Sequence, residues 1–183
     1  NDNGTGYGVQ LIDCTNTQVT KCYFSRCRRG VDVSGIYPSR NCLVSLCHVD
    51  GSGLAVDDAT ELFEVSGHSG FGSHTQADGT LYTNNTIIGC DTGFNIRGFN
   101  ETVQGNILRG KAEYFLASNY GSNLSVINNA YYSNELEDGA TPTATDDSNR
   151  LRSFVYQSLR ENLGFTTIIG NHANKIEQAF LSV

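Results

Sequence analysis

Carboxylates on short alternating segments are the residues of this 183-residue chain best suited to chemistry. Asp32 lies within Gly30-Val31-Asp32-Val33, and Asp57 and Asp58 directly follow Gly53-Leu54-Ala55-Val56. In a strand, the residues between the apolar positions point to the opposite face, so Asp32 and Asp57 share an outward parity. Stacked as successive rungs, the two sit on the order of 8 Å apart, from ~4.8 Å between strands and ~6.8 Å along one. Carboxyl pairs about 6.5–9.5 Å apart leave room for a water and cleave glycosidic bonds with inversion. One carboxyl acts as the acid while the other takes a proton from water. Asp58, with Glu61 and Glu64 beyond it, supplies a further negative charge that raises a neighbour's pKa. Gly8-Val9-Gln10-Leu11 and Gly93-Phe94-Asn95-Ile96 follow the same grammar, which puts Gln10 and Asn95 in the column of Asp32. Arg97 falls two residues on, placed to hold an acidic sugar, and Gln10, Asn95, Arg97 and Glu64 complete the substrate-binding set. The plainer reading is that outward Asp residues are solvated strand positions that discourage edge-to-edge aggregation.

Other chemistry-bearing groups are less organised. His68, His74 and Asp78 share one Gly/Ser-rich stretch but lack a third firm ligand, so they read as exposed loop residues. No metal and no cofactor are expected. Tyr7, Tyr23, Tyr37, Tyr131 and Tyr132 are either stacking platforms for sugar rings or packing between rungs. Cys27 stands among Arg26, Arg28 and Arg29, cations that lower a thiol pKa, yet nothing supplies a partner base.

The elements that position these residues are set by a repeat. The Gly-apolar-x-apolar pattern recurs at Gly8, Gly30, Gly53 and Gly93, in steps of 22, 23 and 40. A second pattern, apolar-x-x-(Cys or Asn), runs out of phase as Val19…Cys22, Val44…Cys47, Tyr82…Asn85, Val103…Asn106, Val126…Asn129 and Ile168…Asn171. If each long step hides a degenerate coil, the chain winds into about 7–8 coils of ~21–23 residues, each with two or three short strands. One coil cannot bury its inward face alone, so stacking on parallel neighbours supplies the core. Asn85, Asn106, Asn129 and Asn171 form a ladder of side-chain amides, with Cys22 and Cys47 as stacked thiols in the same column. The alternative is an ordinary β-sandwich, which does not explain two motifs sharing one period. Residues 1–132 therefore read as coils, 66–80 as a polar Gly/Ser-rich loop excursion or a degenerate coil, 133–150 as a polar excursion, and 153–183 as final coils and a closing segment. The 133–152 stretch is acidic and separates the two parts.

Composition bounds the partners. Charged residues make up 17%, and 18 Asn beside 20 Gly carry much of the polarity. A net charge of -7 argues against nucleic acid, because phosphate neutralisation needs Lys and Arg clusters. No apolar run approaches the ~20 residues that span a bilayer, so no membrane insertion is expected. The chain contains no Met and opens directly on strand and turn, which reads as a piece of a longer polypeptide. Six cysteines without ribbon or CxxC spacing read as free thiols.

The coils, the Asn column and the GVDV-type strands resemble the right-handed parallel β-helix of pectate-lyase-like proteins. Within that superfamily the chain looks most like bacteriophage tailspikes and tail appendages, over residues 9–132 and, more loosely, 153–172. The resemblance implies a homotrimer on the virion tail, assembled in the host cytoplasm, where thiols stay reduced. It also implies binding of a bacterial surface polysaccharide, capsule or O-antigen, and its hydrolysis. No calcium-binding Asp cluster matches those of pectate lyases, and no basic substrate patch is present. The alternatives are a purely structural trimeric shaft and a bacterial polysaccharide lyase or epimerase.

Overall fold

The structure, a computed structural model, describes residues 6–52, 68–110, 112, 114–118, 120–132, 151–157, 165–174 and 176–182. Short strands separated by left-handed corner residues wind into coils. The first coil holds β1 (Tyr7–Ile12), β2 (Gln18–Thr20) and β3 (Tyr23–Ser25). The second holds β4 (Arg29–Ser34), β5 (Ser39–Arg40), β6 (Leu43–Ser45) and β7 (His48–Asp50). The third holds β8 (Ser69–Ser73), β9 (Ala77–Asp78), β10 (Leu81–Thr83) and β11 (Thr86–Ile88). Then follow β12 (Thr92–Asn95), β13 (Thr102–Gln104) and β14 (Ile107–Arg109), and β15 (Tyr114–Ser118), β16 (Leu124–Ile127) and β17 (Ala130–Tyr132). The sixth coil holds β18 (Leu151–Gln157), β19 (Phe165–Ile169) and β20 (His172–Ala173), and β21 (Ile176–Ser182) pairs onto its first strand.

Every pairing among these strands is parallel and joins one coil to the next. The first strands of the coils make one sheet, β1-β4-β8-β12-β15-β18-β21, and the second and third strands make two more. This is a parallel β-helix, and the right-handed sense is the one that parallel crossovers adopt. A short fourth ladder runs along the corner between the first two sheets, through β5 and β9 and then Phe99 and Ser122.

The corners explain the abundance of Asn and Gly. Asn16, Asn41, Gly79, Asn100 and Asn123 all have positive φ and stand at the first corner, coil above coil. Lys21, Leu46, Asn84, Gly105, Asn128 and Gly170 do the same at the second corner. Left-handed backbone is strained for residues with a Cβ, and Asn and Gly tolerate it best. The residue after each corner turns inward. At the second corner these residues are Cys22, Cys47, Asn85, Asn106, Asn129 and Asn171, as the sequence predicts.

Within that column, Asn106 Oδ1 accepts from Asn85 N and Asn85 Nδ2, both at 2.9 Å. Asn106 Nδ2 donates to Asn129 Oδ1 at 3.0 Å and to Tyr82 O at 3.0 Å. Asn129 repeats the pattern onto Asn171 Oδ1, and Asn85 Oδ1 accepts from Cys47 N. The amides thereby satisfy turn groups that water cannot reach. Beside them Val19, Val44, Tyr82, Val103 and Val126 are register partners, all buried. Phe71, Phe94 and Phe115 stack through the first sheet, with ring centroids 5.7 and 5.4 Å apart.

Three expectations need correction. The long sequence steps hide no coil: Val31 pairs directly with Phe71, and Leu116 directly with Val155. The described residues therefore make six coils and the start of another, rather than 7–8. The rung above Gly30-Val31-Asp32 is Gly70-Phe71-Gly72, while Gly53-Leu54-Ala55-Val56 lies outside the described residues. Finally, 66–80 is no excursion, since β8 and β9 occupy it and lie in the column. Its Gly residues are small for a packing reason: a Cβ on Gly70 would meet Ile87 at 2.7 Å. The 133–150 stretch lies outside the described residues.

Candidate functional site

The outward column of the first sheet brings together several residues singled out by sequence. Gln10 pairs with Asp32, Asp32 with Gly72, and Gly72 with Asn95, so three of the expected residues share one line across four coils. Gln10 Nε2 donates to Ser34 Oγ at 3.1 Å. Outward parity does not mean exposure here. Asp32 is 0% exposed and Asn95 2%. Asp32 is thus a buried ion-pair partner rather than a solvated strand residue. The backbone N–H of Arg97 donates to Ser73 Oγ at 3.1 Å.

Arg29 organises this face. Its Nη1 donates to Asp32 Oδ1, and its Nε donates to Ser69 Oγ one coil on, at 3.2 Å. The guanidinium lies over Tyr7, 5.9 Å from the ring centroid. Gly72 is glycine because a Cβ there would come within 2.8 Å of Arg29 Cδ. His74 closes the cluster, with Nε2 3.4 Å from Asp32 Oδ2 and 3.5 Å from Arg29 Nη1. The ring nitrogen can donate to the carboxylate or accept from the guanidinium, but not both. Asp32 Oδ2 has no other donor, which favours the tautomer with hydrogen on Nε2 and leaves Nδ1 as the basic nitrogen. Burial alone would raise the Asp32 pKa. The hydrogen bond from His74 and the charge of Arg29 outweigh it and hold the carboxyl below its usual range. The arrangement is a half-exposed imidazole oriented by a buried carboxylate, a geometry suited to proton transfer.

Asp57, Asp58 and Glu64 lie outside the described residues. The register that placed Asp57 above Asp32 does not hold, because Gly72 occupies that rung. His74 and Asp78 belong to β-helix coils and not to a metal loop. Among the described residues no three His, Cys, Asp or Glu side chains converge as a metal set. No helix among them is long and apolar enough to cross a membrane.

One residue after His74, the first corner opens into a groove of about 440 Å³. Thr75, Gln76 and Asp78 of the third coil, Phe99 and Asn100 of the fourth, and Ser122 of the fifth line it, with Ile36 from below. Its rim is a ladder: Asn123 Nδ2 donates to Asn100 Oδ1 at 2.6 Å, and Asn100 Nδ2 to Asp78 Oδ1 at 2.7 Å. Phe99 is 39% exposed and presents an aromatic face among these polar groups. Of the tyrosines, Tyr131 is fully buried packing, while Tyr23 and Tyr37 are exposed.

Behind the groove, inside the column, Glu101 is fully buried. Its Oε2 accepts from Ser73 Oγ at 2.6 Å and from Gly98 N at 3.2 Å, and Thr80 lies against the carboxyl. Burial, only partly offset by these hydrogen bonds, pushes its pKa up to about 8. Sequence reasoning missed Arg29, His74 as the partner of Asp32, and Glu101. The signal for Glu101 was its place directly after Asn100, a corner Asn, where residues turn inward.

The sequence matches no family model and no curated protein. Among solved structures it is similar to the crystal structure of the periplasmic alginate epimerase AlgG, with 12% identity and a TM-score of 0.44. The similarity covers 97% of this chain and 47% of that one, so the chain spans about half its length. The strand pairing itself defines the class: an all-β parallel β-helix of three stacked sheets, with a groove of mixed polar and apolar lining along one corner.

Proposed function

We propose that the chain is the β-helix portion of a tailspike-like phage appendage that binds a bacterial surface polysaccharide along the first-corner groove. The observation that carries this reading is the groove, where an exposed Phe99 face sits among amide, hydroxyl and carboxylate groups over three coils. A sugar ring offers an apolar face to an aromatic side chain and hydroxyls to flanking amides. The charged residue lining the groove is Asp78, which favours neutral sugars over acidic ones. Hydrolysis extends the reading: His74, oriented by Asp32 and one residue before the groove-lining Thr75, is the proton-transfer group. Assembly as a homotrimer on the virion tail belongs to the same proposal.

A glycan array of capsule and O-antigen fragments, read together with a size measurement, tests it. The reading expects a trimer that binds neutral glycans, and release of new reducing ends if the chain also cleaves. A second reading, a structural shaft, is supported by Ile36 and Tyr37, which are 84% and 70% exposed beside the groove. Such residues suit packing between copies. A trimer that binds no glycan would favour the shaft.

A further inference from the structure

All six cysteines are free, and five of them fall in the first two coils. Cys14 Sγ and Cys42 Sγ approach to 3.6 Å across those coils. Cys14 is half-buried and Cys42 is 1% exposed. Ser39 holds the pair in place, with its Oγ accepting from Cys14 N at 3.3 Å and donating to Ser34 O at 2.7 Å. Cys42 Sγ also donates toward Arg40 O at 3.7 Å, and the stacked thiols at the next corner donate to backbone in the same way. Cys47 Sγ donates toward Val19 O and Ser45 O, and Cys22 Sγ toward Thr20 O.

We infer that Cys14 and Cys42 form a redox modification site, at which a small-molecule disulfide oxidises the pair to a cross-rung disulfide. The partially accessible Cys14 thiolate attacks one sulfur of oxidised glutathione, breaking its S–S bond and releasing one glutathione thiolate. Cys42 thiolate then attacks Cys14 Sγ and expels the second. Two protein thiols lose two protons, two electrons pass to the reagent, and two reduced glutathiones result. The sulfurs need to close by about 1.5 Å to reach bonding distance, within the range of a side-chain rotation. Burial, with the neighbouring Cys14 adding to it, pushes the Cys42 thiol up to about 11. The second step is therefore slow at neutral pH and accelerates with alkalinity. This goes beyond the polysaccharide reading and does not depend on it. Thiols kept reduced during synthesis close into a staple once the protein meets an oxidising medium.

The test incubates the intact chain with oxidised glutathione at pH 7 and pH 9, then alkylates the remaining thiols and measures intact mass, tryptic peptides and Tm. The tryptic peptide ending at Lys21 carries Cys14 as its single cysteine. The expected product has lost two hydrogens, and links that peptide to the one containing Cys42. It forms faster at pH 9, and melts on the order of 5–10 °C higher until dithiothreitol reverses it. Cys42→Ser loses both the link and the Tm rise, and stops at glutathione on Cys14. The inference is overturned by a wild-type chain that does not react, that keeps glutathione on Cys14 at pH 9, or that melts lower once linked. A link that survives in Cys42→Ser overturns it equally.

Discussion

Glu101 and Asp32 pull stability in opposite directions along the pH axis. The folded pKa of Glu101 is about 8 against an ordinary 4.5, so the folded state holds its proton more tightly than the unfolded chain does. Its contribution is complete below 4.5 and is lost as pH rises from there to about 8. Asp32 has a lowered pKa, so its contribution is present above the ordinary 3.8 and is lost as pH falls below that value. Urea midpoints measured against pH should therefore peak on the acid side of neutrality and decline towards pH 8. Glu101→Gln should flatten the decline above pH 4.5, and an unchanged slope would show that another group causes it. At this scale the sequence was legible only where side chains obey strand parity. Gln10, Asp32 and Asn95 did fall in one column, but parity does not say what covers an outward face. The burial of Asp32 under Arg29 comes from Gly72, a residue that read as part of a loop.

At the scale of the element, the corners carry the stability. Asn106→Ala removes the acceptor for two groups of Asn85 and strands Tyr82 O without its donor. Leaving such buried groups unpaired costs roughly 2–4 kcal/mol, or about 5–10 °C in Tm by thermal melt. Leu46 stands in the left-handed corner column at φ 55 with its side chain 54% exposed, so the site gains little from an apolar residue. Leu46→Asn should match Asn84 and Asn128 above it and raise stability by about 0.5–1 kcal/mol; a lower urea midpoint would contradict this. The inward column was readable because apolar-x-x-Asn couples an inward strand residue to the residue after a corner. The coil count was not. A period measured by motif spacing cannot distinguish a missing coil from a long connection, and both long steps are connections joining directly paired strands.

For the whole molecule, the solenoid places residues far apart in sequence along a single groove, with Thr75, Phe99 and Ser122 on successive coils. Those residues share no motif, and they meet because the corner repeats once per coil. The groove was therefore invisible to pattern reading even though the fold was not. The proposed recognition of a glycan there is most directly tested by binding isotherms with the capsule or O-antigen fragment that scores highest on the array. Phe99→Ala is predicted to weaken binding about tenfold, roughly 1.4 kcal/mol for the lost ring face, while Tyr23→Ala on another face leaves it unchanged. Equal affinity for wild type and Phe99→Ala would contradict the account.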